Sequence, residues 1–273
     1  MSEPAAPQSD LLTRFSMGVV MIAVACVAIW LGGWPFRLLA AAAAAAMMVE
    51  WGDMHKVKRG WTWLGVALLA APTLILPEWL FPAAERDPAE IGPELFDQMW
   101  MGFAAIGALA LLYTLLSRRL TLGWGFLYIG LPAFALVVLN WAWFELVFWL
   151  MAVTWATDIF AYFAGRSIGG AKLAPKISPN KTWAGLLGGM AGAALVGAGA
   201  AWLLGIGEPF FWLGAPMGLL AQLGDLYESS VKRKLGVKDS GALLPGHGGV
   251  LDRLDGLLPV ILATLIVLLA TLA

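Results

Sequence analysis

Long apolar runs, each near the length of a bilayer crossing and separated by short polar segments, dominate the 273-residue chain. A helix crossing a hydrocarbon layer about 30 Å thick needs about 20 mainly apolar residues. That ruler predicts roughly nine helices, at 15–32, 34–50, 61–77, 99–117, 121–140, 142–165, 183–204, 209–227 and 254–273. The predicted fold class is therefore all-α, a polytopic integral membrane protein. It has two regions, an amino-terminal set of about five helices over 1–140, and a carboxyl-terminal region over 141–273 with polar loops at 166–182 and 228–253.

Composition agrees. Hydrophobic residues make up 60% of the chain and the mean hydropathy is +0.80, beyond the roughly 45–50% apolar content of soluble domains. The net charge of −1 gives no bulk attraction for nucleic acid. Lys and Arg collect on the cytoplasmic side of membrane proteins. With the amino terminus inside, every one of the 17 basic residues except Arg37 and Arg86 falls on an inner segment. One miscounted crossing would invert every later loop, so this pattern favours nine spans in a cell (inner) membrane, with the polar loops of the second region cytoplasmic.

Several features need no chemistry. The acidic, Pro-rich segment 77–98 reads as a solvated outer cap, and the first apolar run, which no basic leader precedes, as a retained span. The alanine run 40–46 and the series Gly185, Gly188, Gly189, Gly192 suit close helix packing, within the chain or in a homodimer. The Trp residues near span ends suit interface anchoring, and the lone Cys26 has no intramolecular disulfide partner.

Acids near membrane depth are costly and are functional candidates by default. Asp158 and Asp225 lie toward the inner ends of the sixth and eighth predicted spans, and Asp252 and Asp255 open the ninth on one helical face. Clustered carboxylates at an aqueous membrane surface suit a hard divalent cation that bridges phosphates. Loop 166–182 is rich in Gly and Lys and enters a helix through Ser178, Pro179, Asn180, Lys181 and Thr182, an arrangement suited to polyphosphate, although P-loop spacing is absent. In the last inner loop Lys232, Arg233 and Lys238 offer phosphate donors. Gly246, Gly248 and Gly249 allow close backbone approach, and His247 is either a phosphate donor or a turn residue.

These residues resemble the signature of the phosphatidate cytidylyltransferases, the CDP-diacylglycerol synthases. The match runs without a gap over 229–255, through Ser229, Val231, Lys232, Arg233, Lys238, Asp239, Gly241, Leu244, Pro245, His247, Gly248, Gly249, Val250, Asp252, Arg253, Leu254 and Asp255. It extends upstream to Asp158, Ala161, Tyr162, Gly165, Arg166 and the Ser178–Thr182 stretch. One departure is Ala184, where members often carry Glu. The resemblance implies CTP and phosphatidic acid as substrates, giving CDP-diacylglycerol and pyrophosphate. It implies a catalytic set of Asp225, Lys232, Arg233, Lys238, Asp239, His247, Asp252, Arg253 and Asp255. Asp158, Arg166, Ser178, Lys181, Thr182, Gly248 and Gly249 would bind nucleotide, and Asp225, Asp252 and Asp255 would hold magnesium, with room for a second cation.

Three other readings compete. A CTP-dependent polyprenol or lipid kinase would transfer the terminal phosphate, and a related cytidylyltransferase would take an ether-linked isoprenoid phosphate. A polytopic transporter would also explain the spans, but its acids should line a path at the midplane instead of gathering at one face.

Overall fold

The computed structural model describes residues 8–80, 94–243 and 248–272; the outer segment predicted as a solvated cap falls largely outside them, as does His247. The chain is built from helices α1 (Gln8–Leu31), α2 (Gly33–Met54), α3 (Arg59–Ala70), α4 (Leu76–Leu80), α5 (Glu94–Ser117), α6 (Leu120–Ser167), α7 (Trp183–Leu204), α8 (Gly214–Leu235), α9 (Leu251–Leu254) and α10 (Leu257–Leu272). Four helices among the described residues are long and apolar enough to cross a membrane: Arg59–Leu80, Asp97–Ser117, Leu120–Ser167 and Trp183–Leu204. The first joins α3 to α4 through a π-helical turn, Ala71–Ile75, where Pro72 lacks an N–H and the Thr73 hydroxyl donates to the Leu69 carbonyl at 2.7 Å.

The fifth and sixth predicted spans form one helical run broken at Trp143, whose backbone is extended (φ −160°, ψ 87°). The chain turns back there, since Leu136 before the break and Met151 after it line the same cavity. Near the turn the Asn140 amide donates to the Ile29 carbonyl at 2.9 Å, satisfying an end group of α1. The returning half of α6 packs on α7. A Cβ at Gly188 would come within 2.2 Å of the Ala164 Cβ, and one at Gly192 within 2.2 Å of the Phe160 side chain. The small-residue series is thus consumed by packing inside the chain, as one of its two expected uses. Exposed Trp30, Trp34, Trp79, Trp183, Trp202 and Trp212 stand at or near helix ends, whereas Trp51 and Trp149 are buried in the core.

The all-α class holds, with one addition: β1 (Lys172–Ala174) and β2 (Ser178–Thr182) pair antiparallel in the loop between α6 and α7. Two expectations need correction. The eighth helix begins at Gly214 instead of 209 and runs on to Leu235. Gly205, left-handed at φ +66°, ends α7 and the segment to Leu213 forms turns, while at the far end of α8 residues 228–235 of the predicted loop 228–253 are helix. Asp252 and Asp255 do not open the last span, since Asp252 lies in the single turn α9 and Asp255 is its carboxyl-terminal cap. Pro259, in the first turn of α10, is tolerated because the first N–H groups of a helix have no internal partner.

Candidate active site

The β-hairpin carries Lys181 over α8. Its ammonium meets the Asp225 carboxylate at 2.6 Å and donates to the Gln222 side chain at 3.1 Å. Thr182 then caps α7 by accepting from the Gly185 N–H at 3.0 Å, so the strand end and helix start are locked together. Asp158, Tyr162, Arg166, Asn180, Lys181 and Asp225 line a cavity of about 510 Å³ between α6, the hairpin and α8. Arg166 reaches back to the Tyr162 hydroxyl at 3.0 Å. Asp158 feels the charges of Lys181 and Arg253, and Asp225 repels it.

One helical turn further along α8 a second cluster forms. The Lys232 ammonium lies 2.5 Å from Glu228 and 2.6 Å from Asp252. Asp252 also accepts from the Gly249 N–H at 2.9 Å and from the Ser240 N–H at 3.0 Å. Burial would push the Asp252 carboxyl up, but the Lys232 hydrogen bond and the two backbone N–H groups hold it below the usual carboxylate range. Burial would likewise lower Lys232, yet its bonds to Asp252 and Glu228 raise it. Glu228, one per cent exposed in its side chain, is pushed by burial up to about 7 against the pull of Lys232. Its Oε1 is buried with no hydrogen-bond partner. Asp255, between the two clusters, is buried, accepts from the Gly256 N–H at 2.7 Å, and lies within the field of Asp225 and Glu228.

Of the predicted residues, Asp158, Arg166, Lys181, Thr182 and Asp225 share one cavity, and Lys232, Gly249 and Asp252 share the adjoining cluster. Gly248 is left-handed at φ +81°, a conformation strained for any L side chain, and an added Cβ would lie a tight 3.1 Å from Oδ2 of Asp252. Ser178 pairs with Ala174 at the far end of the hairpin, outside the residues that line the cavity. Arg233 donates to the Ile177 and Val237 carbonyls, fastening the hairpin to the end of α8. Lys238 and Asp239 are exposed beyond that helix. Arg253 lines a different, largely apolar cavity of about 440 Å³ with residues of α1, α2 and α6. Sequence reasoning missed Gln222, Glu228 and Glu50. The last two are acids toward the carboxyl-terminal ends of α2 and α8, which the rule applied to Asp158 and Asp225 also covers.

Among the described residues no three His, Cys, Asp or Glu side chains form a ready-made metal group. The donors nevertheless fit magnesium delivered with a polyphosphate, because that ion commonly takes only one or two carboxylates and completes its shell with water and phosphate oxygens. Asp225 is engaged by Lys181 and the Ser229 hydroxyl, and Asp252 by Lys232 and two backbone donors, whereas Asp255 lies in the field of Asp225 and of Glu228, whose Oε1 has no hydrogen-bond partner.

A lysine-bearing polar cavity walled by apolar helices and flanked by carboxylates defines an integral membrane enzyme of phosphate chemistry. The chain belongs to the cytidylyltransferase family, whose model matches residues 12–271. It is similar to the phosphatidate cytidylyltransferase of Brucella abortus biovar 1 (strain 9-941), with 38% identity over 91% of this chain and 90% of the relative. It also resembles the enzymes of that name from Rickettsia bellii (39% identity, 58% of this chain and 74% of the relative) and Bacillus subtilis (44% identity, 41% of this chain and 43% of the relative).

Proposed function

We infer that the protein is a phosphatidate cytidylyltransferase, converting CTP and phosphatidic acid to CDP-diacylglycerol and pyrophosphate in phospholipid biosynthesis. The observation that carries this reading is the Lys181–Asp225 contact, which sets a polar cavity against α8 inside a chain that matches the family along nearly its whole length. A phosphatidate oxygen attacks the α-phosphorus of CTP in line, and pyrophosphate leaves with the electrons of the broken P–O bond. Both reactants are anions, so positioning and charge neutralisation account for most of the rate.

Lys181, Arg166 and Asn180, which line the cavity, would hold the triphosphate, with Asp158 on the nucleotide side. Lys232 is set to meet the lipid phosphate once a substrate anion competes with its carboxylates. Asp225 and Asp255, with Asp252, would hold magnesium, which when bound neutralises the phosphate oxygens.

The reading includes nine crossings with the amino terminus cytoplasmic. The fold-back at Trp143 supports it by making two antiparallel legs from one helical run. The site then opens on the cytoplasmic side of a bacterial inner membrane. A homodimer would use faces other than the glycine face of α7, which α6 already fills.

Purified protein in detergent, given CTP, magnesium and phosphatidic acid, should release pyrophosphate and a CDP-lipid. Free CDP with a phosphorylated lipid alcohol, formed on supplying that alcohol, would place the protein among the lipid kinases instead.

A further inference from the structure

Glu50, toward the carboxyl-terminal end of α2, is only 2% exposed and accepts three hydrogen bonds from the signature segment roughly two hundred positions later. The Val250 N–H donates to its Oε1 at 2.8 Å; the Leu251 N–H at 2.8 Å and the Ser240 hydroxyl at 3.0 Å donate to its Oε2. The same short segment is gripped from its other side by Asp252, which accepts from the N–H groups of Ser240 and Gly249. Ser240 is therefore shared, its backbone bound to Asp252 and its hydroxyl to Glu50.

Two glycines make the approach possible. A Cβ at Gly241 would fall 2.7 Å from the Glu50 Cγ, and one at Gly249 would fall 2.7 Å from the Glu50 Oε2 and 2.0 Å from the Ser240 Oγ. No real Cβ sits that close, so at both positions the absence of a side chain is read by a carboxylate of the amino-terminal half.

We propose that Glu50 is a positioning residue for cytidylyl transfer: through Ser240, Val250 and Leu251 it fixes the segment that orients Asp252 and Lys232, without touching substrate itself. This rests on the cytidylyltransferase reading. Only an acceptor with no protons can serve three donors from two oxygens. A glutamine of the same shape would turn an N–H toward the Leu251 N–H and the Ser240 hydroxyl, or toward the Val250 N–H, and lose at least one bond at unchanged volume.

The test compares full-length wild type, Glu50→Gln and Gly241→Ala in detergent, measuring kcat and KM for CTP per folded molecule, with hydrogen exchange of the 240–256 amides as an activity-independent readout. Glu50→Gln should lower kcat at least thirtyfold while KM for CTP moves less than threefold, and exchange in 240–256 should quicken at least tenfold with α6 and α7 unchanged. Gly241→Ala, which crowds the carboxylate from the loop side, should show the same split. The double variant should be no worse than the weaker single, because both break one contact. Wild-type kcat per folded molecule in Glu50→Gln overturns the proposal, as does unchanged exchange at 240–256. If Glu50→Gln does not fold, Gly241→Ala alone decides, with wild-type kcat and exchange again overturning it. A wild type without turnover on CTP and phosphatidic acid would instead fault the parent reading, and the exchange result would still decide whether Glu50 holds the segment.

Discussion

The Lys232 ammonium and the Asp252 carboxylate meet at 2.6 Å, joining the last turns of α8 to the single-turn helix before α10. Both are largely buried, and Glu228 contacts the same ammonium from the preceding turn. Removing one member of a buried ion pair leaves the other charge uncompensated, at a cost of about 3–5 kcal/mol. Lys232→Met should therefore lower stability by about that amount, as read from thermal unfolding in detergent. Adding Glu228→Gln should recover part of the loss, because one fewer buried carboxylate is left unpaired.

Asp252→Asn keeps the shape of the side chain but removes its charge, and its amide faces the Gly249 and Ser240 donors with one acceptor oxygen instead of two. Turnover should fall on the order of a thousandfold while the protein remains extractable and folded. Near-normal turnover in a steady-state assay would remove Asp252 from the reaction centre.

Lys181→Gln should act mainly on nucleotide. A hydrogen bond to a charged group is worth about 1.5–3 kcal/mol, so KM for CTP should rise about tenfold or more, with a smaller change for the lipid. Equal effects on both substrates in a two-substrate kinetic matrix would contradict the assignment of the hairpin cavity to CTP.

Glu228 gives a pH signature. Its carboxyl is raised from 4.5 to about 7, so the fold favours the protonated acid. The stability this contributes is complete below the unfolded value of 4.5 and is lost as pH rises through about 7. Wild-type melting temperature should consequently fall between pH 5 and pH 8 by an increment absent from Glu228→Gln. Parallel pH slopes for the two proteins would contradict the burial argument.

Gly192→Leu should separate α6 from α7, because even a Cβ there meets the Phe160 ring at 2.2 Å. Overpacking of this kind costs about 1–3 kcal/mol. The loss should appear both as a lower melting temperature and as faster exchange along the returning half of α6.

Apolar run length made the helical architecture and most helix positions legible in the sequence, including the two legs that meet at Trp143. The end of α8 was misplaced because run length measures where apolar residues stop, whereas the helix continues for as long as Glu228, Lys232 and Arg233 find partners beyond the apolar stretch. The hairpin was hidden because it contains only short strands, held by Lys172 opposite Thr182 and Ala174 opposite Ser178. At the candidate site, residue type and spacing pointed to Asp158, Lys181, Asp225, Lys232 and Asp252, which the structure gathers into two adjoining clusters. Which of them touch depends on tertiary packing. That packing puts Arg253 in the lining of the apolar cavity, its charge still felt by Asp158, and brings Glu50, in the half to which the sequence lent no function, against the signature segment.

The most direct test of nucleotidyl transfer follows the phosphates of CTP. Purified protein should be incubated with magnesium and phosphatidic acid, using CTP labelled at either the α- or the γ-phosphate, and the organic-phase lipid counted. The account predicts that α-label enters lipid in a phosphatidate-dependent manner and that γ-label leaves as pyrophosphate. Lipid carrying the γ-label and none of the α-label would contradict it.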